Sequence, residues 1–299
     1  MATFEAIHGE DVYGDVVRDV IYAGVPREPR GRKTRDAGFT VIELETPYFA
    51  FPRDRRPGLN VRIAVAEAVQ LIGGFSNPDL LTKATAKFSD FLEPDGHFHG
   101  SYGSRVRYQV ASVVRKLAWD PDTRQAVVTL WDPVLDNLED KRDYPCTVML
   151  HFEITRRDML AMTVVMRSND VWLGLPYDLF QFTQLQCTVA RALGIEPGRY
   201  RHVTMSMHIY DEDVTRALEC DFRPPFIPDY EQRFMFTGIG RPGDSFTDVM
   251  KRARVLTTNA ENVEETSSER EYRKIFASYL GRPVDADSDR GGEAQPLQP

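Results

Sequence analysis

Between residues 146 and 210 the sequence allows few folds. Residues 146–154 and 160–166 are apolar runs of strand length, and the polar stretch 155–158 between them is short enough for a hairpin. Residues 179–193 follow with Phe182, Leu185, Val189 and Leu193 on one helical stripe and Gly194 at the end, and 200–210 returns to strand. A strand–strand–helix–strand run with no regular alternation favours a mixed-sheet α/β (α+β) domain over a doubly wound parallel one.

The same reading extends outward. Residues 10–25 form an opening helix, the basic stretch 27–36 with Pro29 and Gly31 a loop, and 39–44 a strand. Residues 60–72 form a helix ended by Gly73 and Gly74, on which Ile63, Glu67 and Leu71 share one face. Residues 108–117 and 125–130 are expected to be strands, and 262–280 a charged helix. Residues 283–299 are rich in Asp, Gly, Pro and Gln, so they are expected to be a disordered tail after a single domain over 1–282.

Composition removes several functions. At 42% hydrophobic and 27% charged, the 299 residues make an ordinary soluble core. A net charge of -8 argues against a polynucleotide binder, which neutralises many phosphates, but not against one small phosphorylated ligand. The three cysteines, Cys146, Cys187 and Cys220, have no framework or metal-site spacing, so reduced thiols, no metal and a cytoplasmic location are expected. No apolar run is long enough to span a membrane, and the first residues lack a signal-peptide pattern.

The chemistry concentrates around residues 167–178. Cys146 alone reads as a small buried hydrophobe; beside a cation it reads as a nucleophile. Arg167 and Ser168 close a strand, and a guanidinium with a hydroxyl matches phosphate oxygens. Asp178 precedes the strong helix, where an N-cap with Gln181 completing a capping box is its plain structural reading. His208 and Tyr210, two apart on a strand, face the same side. Glu67 on an apolar helical face needs a partner or a task.

The collinear set Gly100-Ser101-Tyr102-Gly103 with Arg107, Pro145-Cys146, Arg167-Ser168-x-Asp170, Leu173-Gly174-Leu175-Pro176 and His208-x-Tyr210 resembles the thymidylate synthase superfamily. The resemblance covers residues 60–211 and is loose outside them. It implies a mixed sheet flanked by helices, with the sheet forming a homodimer interface and shared active sites. It also implies that Cys146 adds to C6 of a pyrimidine nucleotide, with Glu67 as general acid/base and methylenetetrahydrofolate as one-carbon donor. Arg167, Ser168, one of Arg30 and Arg32, and Arg124 from the partner subunit would hold phosphate; the family's second borrowed arginine is Gln125 here. His208 and Tyr210 would hold the sugar, Asp170 the folate, and Tyr102 would lie near the base.

Two departures from the synthase pattern point to another substrate and another outcome. The synthases carry asparagine where this chain has Asp178, and aspartate there is similar to the cytidylate 5-hydroxymethylases of the superfamily. Phe88 and Phe91 stand where synthases carry tryptophans, Thr147 where many carry histidine, and the short apolar C-terminal tail of the synthases is replaced. The expectation is therefore hydroxymethylation of a cytidine monophosphate, dCMP favoured over CMP, in phage DNA modification or nucleoside antibiotic biosynthesis. The alternatives are a thymidylate synthase or dUMP hydroxymethylase, and a catalytically silent nucleotide-binding homologue.

Overall fold

The expected hairpin forms at the centre of a larger sheet. The computed structural model describes residues 1–52, 56, 58–137, 141–222, 236–258 and 265–280. In chain order the first half contains β1 (Ala2–Ala6), α1 (Gly9–Ala23), β2 (Val25–Arg27), β3 (Thr34–Leu44), α2 (Val61–Gly73), α3 (Pro78–Thr82), α4 (Tyr102–Val106), α5 (Gln109–Trp119) and β4 (Val127–Thr129). The second half contains β5 (Thr147–Ile154), β6 (Met159–Met166), β7 (Asn169–Asp170), α6 (Leu175–Leu193), β8 (Glu196–Tyr210), α7 (Asp211–Leu218), α8 (Phe246–Val255) and α9 (Ser267–Leu280). Among the described residues these strands form one mixed sheet in the order β1-β3-β8-β6-β5-β4, with β2 on β3 and β7 on β8.

β8 organises this sheet. It pairs antiparallel with β3, and parallel with β6 and β7. A parallel β6–β8 pair requires a crossover, and α6 provides it. Helix α6 forms because Leu175, Leu179, Phe182, Leu185 and Val189 recur at helical spacing and are all fully buried. Each such side chain contributes about 1.5–3 kcal/mol on burial. The helix ends at Gly194, whose φ of 72° lets its N–H reach the carbonyls of Ala190 and Arg191. Helix α2 packs on α6 and carries Glu67 toward it.

The other face of the sheet carries a cross-strand row. Val41 on β3 pairs with Val203 on β8, Val203 with Val165 on β6, and Val165 with Met149 on β5. All four remain half-buried, and Met205 nearby is 49% exposed.

Some expectations are corrected. Residues 108–117 do not form a strand: they lie in α5, because Val110, Val113, Val114 and Leu117 are spaced to bury one helical stripe. The basic stretch 27–36 is only partly loop, since β2 ends in it and β3 starts in it at Thr34. Asp178 is not an N-cap. Gly174 holds that place, Pro176 sits in the first turn, and Asp178 lies one turn inside α6. Among the described residues the last helix runs Ser267–Leu280; positions 262–264 of the expected helix and residues 283–299 lie outside the described residues.

Helix α4, which carries Tyr102, is short and is pinned from outside. Arg105 Nη1 and Nη2 donate to the two oxygens of buried Asp136 at 2.6 and 2.8 Å, and on to the carbonyls of Leu130 and His99. His99 Nε2 also reaches Asp136, at 2.8 Å. Burial opposes ionisation of Asp136, but the bonds from Arg105, Asp132 N–H and His99 outweigh it and hold the carboxyl below its ordinary range. Asp136→Ala would strand the Arg105 charge, so urea denaturation is expected to show a loss of about 3–5 kcal/mol.

Candidate active site

The hairpin brings thiol and cation together. Cys146 sits at the entry to β5 and Arg167 at the exit of β6, where the Arg167 N–H donates to the Cys146 carbonyl at 2.9 Å. Arg167 Nε donates to the Pro145 carbonyl at 3.0 Å, which turns the guanidinium back along the strand. Its Nη2 then lies 3.8 Å from Cys146 Sγ. Burial pushes the thiol up to about 11; Arg167 opposes this, Asp178 and Asp143 add to it, and Arg30 opposes it weakly. Desolvation outweighs the one guanidinium, so the thiol sits above its ordinary value although Arg167 draws it down.

The early basic stretch divides its arginines. Arg32 lies 3.6 Å over the Tyr210 ring and pairs with Glu212 at 2.7 Å. Arg30 has a left-handed backbone, φ 54°, and its charge is felt at Cys146. Of the two, Arg30 is the one whose charge acts on the thiol. Ser168 is half-buried, and no hydrogen bond holds its hydroxyl among the described residues. Arg124 is exposed beside β4, on the far edge of the sheet. Its neighbour Gln125 accepts from Lys116 Nζ at 3.0 Å, so a cation stands beside the position where the family's second arginine is missing.

Carboxyl groups surround the thiol on the helical side. Glu67 Oε2 is buried with no hydrogen-bond partner, and burial, reinforced by Asp178 and Asp143, lifts its carboxyl well above the ordinary value. Asp178 is buried; its Oδ2 accepts from Asn169 Nδ2 at 2.7 Å and its Oδ1 from Gln181 Nε2 at 3.0 Å. Burial pushes Asp178 to about 7 in spite of both donors. Tyr102 stacks on Phe182 at 5.9 Å, and its hydroxyl accepts from the Thr147 N–H at 3.2 Å. Thr147 thus holds Tyr102 next to Cys146 through its backbone.

The remaining expected residues fall on the β7–β8 side and in the 86–91 turn. Asp170 pairs with His208 in the β7–β8 register. Asp170 Oδ1 accepts from the N–H groups of Trp172 and Leu173 at 2.7 and 2.8 Å, while its buried Oδ2 has no partner. His208 and Tyr210 meet edge to face at 5.6 Å. Phe88 packs on Phe91 and Phe98, and Phe91 is 47% exposed. Asn169 and Asp143 were not singled out by the sequence. Asp143, three residues before the thiol, accepts from Gly100 N–H at 3.0 Å, and burial raises its carboxyl. The signal for both was adjacency to Asp170 and Cys146.

A mixed sheet with a thiol at a hairpin mouth, an arginine on it and buried carboxyls above is the arrangement of a thymidylate synthase fold. The thymidylate synthase family model matches residues 11–229, and the chain belongs to that family. It is 29% identical over 261 residues to the deoxyuridylate hydroxymethyltransferase of Bacillus phage SP01, covering 78% of this chain and 68% of that protein. It is also 29% identical to the proteins of that name from Pseudomonas phage M6 and Delftia phage PhiW-14, over 58% and 65% of this chain. The chain spans 50% and 60% of the length of those two relatives. Among the described residues no group of acidic, His and Cys side chains could hold a metal, and no helix is long and apolar enough to cross a membrane.

Alkylation of Cys146 by iodoacetamide, followed by peptide mass, is expected to speed up about tenfold per pH unit between pH 8 and 10. Arg167→Gln is expected to slow it further and to leave Cys220 unchanged, since Arg167 is the principal cation acting on Cys146 alone.

Proposed function

We propose that this chain places a hydroxymethyl group on C5 of a cytidine monophosphate, dCMP in preference to CMP, with methylenetetrahydrofolate as the one-carbon donor. The observation that carries the base assignment is Asp178. It is buried, doubly hydrogen-bonded, and pushed to about 7, so near neutral pH it is a carboxylic acid as often as a carboxylate. An acid with one donor and one acceptor oxygen can give its proton to cytosine N3 and accept from the C4 amino group. A mismatched edge would leave buried polar groups unpaired, which discriminates strongly.

In this reading Cys146 gives up its proton and its sulfur bonds to C6, moving the C5–C6 electron pair onto C5. Arg167 stabilises the sulfur as its charge develops, and with Ser168 and Arg30 grips the phosphate. Glu67, its carboxyl lifted well above the ordinary value by burial and its Oε2 without a hydrogen-bond partner, manages protons at the base. Tyr102 borders the ring, and His208 with Tyr210 holds the sugar. When bound, methylenetetrahydrofolate supplies a carbon at the oxidation level of formaldehyde. Asp170, with its unpartnered buried Oδ2, and the half-open Phe88–Phe91 pair suit its polar and aromatic ends. C5 would take that carbon as its bond to the folate nitrogen breaks and the C5 proton leaves, and water would add to the carbon as the Cys146 sulfur leaves C6, giving the hydroxymethyl product and tetrahydrofolate; the rings of Phe88 and Phe91 leave this water more room than the tryptophans of synthases.

One observation favours a second reading, with dUMP as substrate: the relatives compared above are deoxyuridylate hydroxymethyltransferases. A product mass after incubation with methylenetetrahydrofolate and equal dCMP, CMP and dUMP separates the two. The expected product is 5-hydroxymethyl-dCMP, accompanied by tritium release from 5-labelled dCMP. Release only from dUMP supports the second reading, and no release from any of them indicates a silent nucleotide-binding homologue. Asp178→Asn is expected to move the preference toward dUMP by about a hundredfold or more, and Cys146→Ala to abolish release.

The enzyme is proposed to act as a homodimer through the Val41–Val203–Val165–Met149 face, with Arg124 reaching the partner's phosphate site. This row is apolar, continuous across four strands and only half-buried in one chain, and the same face carries the Arg201–Glu43–Glu153 ion pairs beside it. Shared sites make a sharp test. Arg124→Glu and Cys146→Ala chains, each inactive alone, are expected to regain about a quarter of wild-type turnover when unfolded and refolded together, because half the dimers are mixed and each has one intact site.

A further inference from the structure

Asp178 is the end of a longer buried chain of polar groups. Asn169 Nδ2 donates to Asp178 Oδ2 at 2.7 Å. Asn169 Oδ1 lies 3.3 Å from His202 Nε2, and His202 Nδ1 lies 3.0 Å from the Tyr200 hydroxyl. Asn169 is 2% exposed, and His202 and Tyr200 are wholly buried. Strands β7 and β8 are already joined by backbone pairing, so the sheet does not need these side-chain bonds. Four polar groups in a row are costly to bury unless every one is satisfied.

The chain also has a direction. Burial pushes His202 down to about 3, so the ring is neutral and carries a single N–H. With one N–H, the row has two self-consistent polarities. In the first, Tyr200 O–H donates to His202, His202 Nε2–H to Asn169 Oδ1, and Asn169 Nδ2 to Asp178. In the second every bond reverses: the Asn169 amide is turned over and Asp178 itself donates from Oδ2. The two polarities therefore differ in whether the Asp178 proton is free for the base: the first holds Oδ2 as an acceptor and leaves the proton to Oδ1, while the second spends it on Asn169. In the arrangement described here Oδ2 accepts.

That difference matters for the base. Uracil shows an acceptor at O4 and a donor at N3; cytosine shows a donor at C4 and an acceptor at N3. A neutral carboxyl fits cytosine with its proton on one oxygen and uracil with its proton on the other. Gly174 keeps the pair in close register, because a Cβ there would stand 3.2 Å from Asn169 Nδ2 and 3.4 Å from Asp178 Oδ2. We infer that Asn169, clamped by His202 and Tyr200, is a specificity-determining positioning residue that sets which oxygen of Asp178 carries the proton and hence which pyrimidine edge the site accepts. This inference rests on the reading of Asp178 as the base-recognition group.

The test compares kcat/KM for dCMP and dUMP, by tritium release with methylenetetrahydrofolate, across full-length wild type, Asn169→Ala, Tyr200→Phe, His202→Gln and His202→Phe. The ratio of the two values is expected to move by at least about tenfold in Asn169→Ala, Tyr200→Phe and His202→Phe. His202→Gln, whose amide can supply the N–H that Asn169 accepts, is expected to stay within about threefold of wild type. Tyr200→Phe deletes one hydroxyl, so it keeps the test open if Asn169→Ala does not fold. Equal loss on both nucleotides with an unchanged ratio would make the row merely structural and overturn the inference. If wild type turns over neither nucleotide, the proposed activity fails, and the ratio of calorimetric dissociation constants for dCMP and dUMP decides the inference instead. Binding of neither overturns both.

Discussion

The parallel pairing of β6 with β8 is the constraint on which the site depends. Register fixes Met166 opposite Thr204, and the two-residue β7 then continues along β8 with Asp170 opposite His208. The chain from Arg167 to Asp170 has no freedom to choose its neighbours. Arg167 is delivered to the hairpin mouth beside Cys146, and Asn169 points into the interior under α6. A one-residue slip would turn Asn169 out of the interior and put a neighbour in its place, because alternate residues face opposite sides. Hydrophobic burial on the α6 side enforces the register, so the core that stabilises the fold also aligns the chemistry.

Burial dominates the electrostatics of the pocket. Cys146, Glu67 and Asp178 all sit above their ordinary values, and in each case desolvation is the largest cause. Arg167 and the amides of Asn169 and Gln181 oppose it without prevailing. Carboxyls raised by burial can give as well as take a proton near neutral pH, which a solvated carboxylate does poorly. Arg167 and Arg30 are the positive charges that act on the thiol.

Much of this was legible in the sequence, and the failures have physical causes. The 146–166 hairpin, α2, α6 and β8 were readable because apolar periodicity and turn residues agreed. Helix α5 was misread because Val110, Val113 and Val114 are β-branched and look strand-like, yet their three- and four-residue spacing was the stronger signal. Asp178 was weighed as a cap because Gly174 and Pro176, which start the helix earlier, look like loop. The choice between Arg30 and Arg32 needed Tyr210 and Glu212, which are remote in sequence. The Asn169–His202 contact joins β7 to β8 across 33 positions, and no local pattern announces such a bond.

Gly174 has a consequence for how such a protein can diverge. A Cβ on this loop would crowd the Asn169 amide at 3.2 Å while only touching Asp178 Oδ2 at 3.4 Å, so a side chain there acts on the amide first. On the proposed reading of Asp178, selection on nucleobase choice is narrowed to a handful of codons, those for 169, 178, 181 and 202. A lineage could trade one pyrimidine for the other by altering amides and acids there, while the loop that frames them stays frozen.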